Sequence, residues 1–113
     1  MVEDHNIITG RVAEALPHLK RRLNGYLSAY DRVKIGATTD PHTRWRRGHS
    51  AAGWSKMVVV YRSDYAGSTR SMETKLIGYA RGTRFRVRPE NVLPGGESIN
   101  DGYDAYFVYV LVG

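Results

Sequence analysis

The 113-residue sequence contains no cysteine, which excludes a disulfide framework, a thiolate metal site and a thiol nucleophile. It has no apolar run near the roughly 18–20 residues that span a bilayer, so no membrane partner is expected. Its start carries Glu3, Asp4 and His5, where a secretory signal would be basic and then apolar. An intracellular location is therefore the expectation, cytoplasmic or nuclear. Negative charge is also scarce: eleven Asp and Glu stand against seventeen Lys and Arg, for a net charge of +6. Most of the excess is arginine, which suits bidentate phosphate contact. Nucleic acid is thus the leading partner class, DNA ahead of RNA, with a merely basic soluble protein as the plain alternative.

What is present reads as one domain with a single modest core, since 42% of residues are apolar and 25% charged. Its centre is the stretch from Val33 to Arg47. Val33, Ile35 and Ala37 alternate with Lys34, Gly36 and Thr38, the period of a strand with one buried face. Asp40 then offers a cap and Pro41 fits the first helical position, so the strand feeds a helix rich in arginine. Upstream, Val12, Leu16, Leu19, Leu23, Tyr26 and Tyr30 form one helical stripe, with a kink or a second helix expected at Pro17.

Downstream, Lys56–Arg62 reads as a central strand. A helix capped by Ser68 or Thr69 follows and runs to about Arg81, with Gly82 as its stop. Thr83–Arg88 alternates Phe85 and Val87 with Arg84, Arg86 and Arg88, either an edge strand or a basic loop. Residues 105–112 form a strongly apolar terminal strand that needs sheet partners, because as a free edge it would aggregate. The expected fold is a small α/β layered domain spanning 1–113, with an N-terminal helical segment (1–31) and a core (32–113).

Glu73 is the most informative single residue. On its helix Met72, Leu76, Ile77, Tyr79 and Ala80 form one apolar arc, and Glu73 falls inside it. A carboxylate turned toward the core must be paired, protonated or bound to a cation. It is either a structural ion pair or the single protein ligand of a divalent metal, with water and substrate phosphate completing the shell. No second carboxylate is spaced for a two-metal cage, and Asp64, the nearest, falls in a loop. Arg44 and Arg47 share one helix face, Trp45 and His49 another. Trp45 is expected to pack, leaving Arg44 and Arg46 beside it as phosphate-facing guanidinium groups. His42 and His49 are candidate proton carriers, though a lone histidine beside a tryptophan is more often a packing residue.

Taken together, these residues resemble the GIY-YIG nuclease superfamily. Lys34-Ile35-Gly36-Ala37-Thr38 is similar to the second signature strand, Arg44-Trp45-Arg46-Arg47 to the helix with the family's arginine, and Glu73-Thr74-Lys75-Leu76-Ile77 to its glutamate helix. The resemblance implies a central, mostly antiparallel three-stranded sheet flanked by helices, with Arg44 and Glu73 catalytic and Glu73 holding Mg²⁺ or Mn²⁺. There are two departures. Lys34 stands where the second signature has tyrosine, and no strand precedes Val33 at hairpin distance, because Asn24–Leu27 reads as helix. Phe107-Val108-Tyr109-Val110-Leu111 resembles the missing first strand, so a circular permutation is expected in which Tyr109 comes to lie beside the Lys34–Thr38 strand, near Arg44 and Glu73. Asn91, or alternatively Asn100, is the candidate for the family's asparagine.

The implied activity is metal-dependent endonucleolytic hydrolysis, with Arg44, Glu73, Tyr109 and Lys34 catalytic and Arg46, Arg47, His49, Arg84 and Arg86 binding nucleic acid. The alternative is a binding module that has kept the basic face and lost efficient chemistry, as Lys34 allows. Strong sequence specificity would need an accessory partner or a second protomer.

Overall fold

The computed structural model describes residues 1–85, 87–91 and 102–113. Arg86 and Asn100, both named above, lie outside them. Among the described residues the strands are β1 (Val2–Glu3), β2 (Val33–Thr38), β3 (Lys56–Ser63) and β4 (Tyr106–Val112). The helices are α1 (Val12–Ala29), α2 (Pro41–Arg44) and α3 (Ala66–Gly82). None of them is long and apolar enough to cross a membrane.

The sheet has four strands in the order β1-β3-β4-β2, not the expected three. β4 runs antiparallel to both β2 and β3, whereas β1 pairs parallel to β3, so the sheet is mixed. The terminal strand thereby finds a partner on each side, as its apolar composition demands. β1 is only two residues long, and Val2 and Glu3 carry no alternation that could announce it. The N-terminal segment, expected to be helical, also supplies β1, and the α1 stripe of Leu19, Leu23 and Leu27 belongs to the main core.

Side-chain alternation sorts the sheet into two covered faces. Val33, Ile35, Val58, Val60, Val108, Val110 and Val112 face α1 and α3. Met57, Val59, Tyr109 and Leu111 face the other way, toward Trp45 and Trp54. Burial on both sides explains why β3 and β4 read as continuous apolar runs.

α1 is one helix, with Pro17 inside it rather than at a break. α3 begins at Ala66 after Tyr65, which makes no capping bond with its side chain. Ser68 and Thr69 thus lie within the helix instead of capping it, and Thr69 is fully buried. Thr83, Arg84, Phe85, Val87 and Arg88 form no strand; the bridge there is Val33 with Pro89.

Asn91 stands in for a neighbouring strand along β2. Its Oδ1 accepts from the Ile35 amide at 2.9 Å and its Nδ2 donates to the Ile35 carbonyl at 2.6 Å. Asn91→Ala leaves two backbone groups unanswered and is expected to cost about 2 kcal/mol, or roughly 10 °C in Tm. Asn91→Asp keeps the acceptor but sets a second oxygen against the Ile35 carbonyl, so it should cost at least as much. An unchanged midpoint for Asn91→Ala would show the clamp to be dispensable.

Candidate active site

β2 and α2 are joined by a turn written in the local sequence. The Thr38 hydroxyl accepts from the Asp40 amide at 3.1 Å, and the Asp40 carboxylate accepts from the Thr43 amide at 3.1 Å and from its hydroxyl at 2.7 Å. These bonds to Thr43 hold the Asp40 carboxyl below the usual range. Pro41 occupies the first helical position. Past Arg44 the helix widens into a π-helical turn over Trp45–His49, closed by the Ser50 amide on the Trp45 carbonyl at 3.0 Å. Turns of this kind recur at functional sites because they re-aim side chains. Here the turn brings both Trp45 and His49 to Tyr109.

Tyr109 is the centre of the arrangement. In the β2–β4 register it sits opposite Gly36, and its ring lies over that residue. A β-carbon at Gly36 would stand 2.3 Å from both Cζ and Oη of the tyrosine, so glycine is a steric requirement of the site. Burial pushes the Tyr109 hydroxyl's pKa up, the nearby Arg44 charge opposes that shift, and the Glu73 charge adds to it. The hydroxyl therefore stays protonated at neutral pH and lies within electrostatic reach of both groups.

Oη of Tyr109 is 3.0 Å from Nε2 of His49, with the rings 5.6 Å apart. Partial burial lowers the His49 pKa, and Lys34 and Arg44 lower it further by repulsion. A neutral imidazole protonated at Nδ1 accepts the Tyr109 O–H at Nε2. Since the folded-state pKa lies below the unfolded value of about 6.5, this environment penalises protonation, and the folded state loses stability as pH falls from the unfolded pKa through the folded one. A two-dimensional NMR titration should give His49 a midpoint below 6.5. A midpoint above that value would remove the neutral acceptor.

Glu73 projects from α3 and is 5% exposed. Four residues earlier on the same helix face, the Thr69 hydroxyl is buried without a hydrogen-bond partner among the described residues. Among the described residues no cluster of three or more His, Cys, Asp or Glu forms a metal cage. A hard cation such as Mg²⁺ can be held by one carboxylate with water and substrate oxygens as its other ligands, and Glu73 is the carboxylate available here. Asp64 does not join them; it is exposed and lies 3.6 Å from Arg62.

Of the expected site residues, the fold brings together Lys34, Arg44, His49, Glu73 and Tyr109. Arg46 and Arg47 lie exposed on the adjoining turn, and Arg84 is exposed beyond the end of α3. His42 is outside the cluster, 3.1 Å from Asp4 at the surface. The direct bond from His49 to Tyr109 is the feature that spacing alone misses. Its one available signal was the Trp45/His49 pairing on a shared helix face. No family model matches the chain, and comparisons with curated proteins and with solved structures find none that matches.

Proposed function

We propose that this chain is a divergent, circularly permuted GIY-YIG-type endonuclease that hydrolyses phosphodiester bonds in nucleic acid, DNA ahead of RNA. The observation that carries the reading is the convergence of Tyr109, Arg44 and Glu73 from three elements remote in sequence, with Tyr109 packed on Gly36. The adjacency of β4 to β2 supports the permutation, because it gives β4 the place that a hairpin partner before Val33 would take.

The chemistry follows from the residues. Arg44 and Lys34 face the scissile phosphate and counter the charge that grows on it as a water attacks. Tyr109 receives the water's proton on its oxygen as its own proton passes to Nε2 of His49, so the tyrosine need never become a free phenolate; the bond from phosphorus to the leaving sugar oxygen breaks, and that oxygen takes its proton from solvent water. Glu73 supplies the carboxylate for Mg²⁺ or Mn²⁺, which when bound stabilises charge on the phosphate oxygens. Arg46 and Arg47, exposed beside the cluster, hold the flanking backbone, and an accessory partner or second protomer would add sequence specificity.

The test is incubation of the purified protein with plasmid, single-stranded DNA and RNA in Mg²⁺, Mn²⁺ or chelator. Cleavage confined to the metal-containing reactions is the expected result. Binding indifferent to metal, with no cleavage, would identify a binding module in which Lys34 marks the lost chemistry.

A further inference from the structure

A second cleft opens where α1 and α3 begin. It has a volume of about 370 Å³ and is lined by Gly10, Arg11, Arg62, Ser63, Tyr65 and Ser68, among others. The walls are fixed by internal bonds. The buried Tyr61 donates its hydroxyl proton to the Gly10 carbonyl at 2.6 Å, the Arg62 amide donates to the Ile8 carbonyl at 3.1 Å, and the Tyr65 amide donates to the Ser63 hydroxyl at 3.1 Å. Tyr65, by contrast, is 73% exposed at the rim. An exposed aromatic ring beside two arginines is the combination that binds an unstacked base and its phosphate.

Arg62 links the cleft to the sheet face that carries Tyr109. β3 carries a bulge between Val59 and Tyr61, after which Arg62 pairs with Phe107. Without that extra residue Arg62 would share the helix-covered face with Val58 and Val60. With it, Arg62 lies on the face of Phe107 and Tyr109. Phe107 in turn pairs with Thr38, the residue that leads into α2. Arg62 and Thr38 are thus separated by two strand spacings, about 10 Å, a distance a short stretch of strand can bridge. Among the described lining residues Asp64 is the acidic one, and its 3.6 Å contact with Arg62 is exposed, a weak pair that an incoming phosphate can replace.

We propose that this cleft holds an unstacked nucleotide of a single strand leaving the Tyr109 site, with its phosphate at Arg11 and Arg62 and its base on Tyr65. The assignment rests on nucleic acid as the partner class in the reading above, but not on hydrolysis. It is tested in chelator with a short fluorescent oligothymidylate, by anisotropy and by amide shifts of the labelled full chain. Gly10, Arg11 and Ser68 should shift on titration. Tyr65→Ala should weaken binding about tenfold, Tyr65→Phe should leave it nearly unchanged, and Arg11→Ala should reduce the salt slope by about one. Tyr65 and Arg11 are surface residues, so each variant is expected to fold. Affinity unaffected by Tyr65→Ala, or shifts confined to residues around Tyr109, would overturn the cleft while leaving the hydrolytic reading intact. Cleft binding without metal-dependent cleavage would do the opposite.

Discussion

Gly36→Ala is expected to lower Tm by roughly 10–20 °C, for a cost of about 3 kcal/mol. The added methyl group would overlap Cζ and Oη of Tyr109 at 2.3 Å. Both residues sit in paired strands, with β4 held between β2 and β3, so neither backbone can retreat without breaking a ladder. The ring must swing away instead, against the packing of Trp45, Trp54, Met57, Val59 and Leu111. The same movement pulls the hydroxyl off His49, so the His49 midpoint should shift along with the loss of stability. A double-mutant cycle isolates the cause. In a Tyr109→Ala background the overlap is gone and alanine is intrinsically better than glycine in a strand, so Gly36→Ala should become close to neutral. An equal cost in both backgrounds would show that the glycine is needed for some reason other than the tyrosine.

The residues differ in how openly the sequence announces this arrangement. Wherever a local rule acts alone, the reading and the structure agree. The strand Val33–Thr38, the Asp40-Pro41 helix start and the apolar terminal strand are all decided within a few residues, and each forms where it is expected, although β2 is covered on both faces rather than one, with Gly36 and Thr38 buried too. Glu73 was visible because one charge interrupts an apolar arc, and it is buried. Local rules fail where pairing between distant segments decides the outcome. β1 is too short to carry a pattern, and it exists because β3 has an edge to offer Val2 and Glu3. The start of α3 departs from capping preference because its first turn is fixed by tertiary packing, with Ala66 and Thr69 both buried. The bulge that turns Arg62 to the Tyr109 face leaves no mark in the run of valines before it. The His49 bond depends on a π-helical turn, whose side-chain directions differ from those that α-helical spacing supplies.

Glu73→Gln is expected to reduce cleavage by about 10³-fold, roughly 4 kcal/mol of transition-state stabilisation, while leaving Tm within a few degrees. The substitution keeps the size of the side chain and an amide oxygen as acceptor but removes the negative charge that a divalent cation needs. It also separates the two meanings of a carboxylate on an apolar arc. Glu73 does interact with other groups of the fold, so rate and stability have to be measured on the same sample. If the charge serves chiefly to pair with a cationic side chain, its loss strands that partner in a buried setting and costs about 3–5 kcal/mol of stability, and any fall in rate follows unfolding. If the charge serves a metal, the folded protein survives, cleavage falls, and raising Mn²⁺ restores little because the ligand itself is missing. Tyr109 supplies an independent check, because the Glu73 charge helps raise its hydroxyl pKa. Removing that charge should therefore lower the Tyr109 midpoint in a folded variant, as read by ultraviolet titration of the phenol. A Tyr109 midpoint that does not move would mean that the carboxylate and the hydroxyl do not share one site, and the proposed chemistry would then lack its metal-binding half.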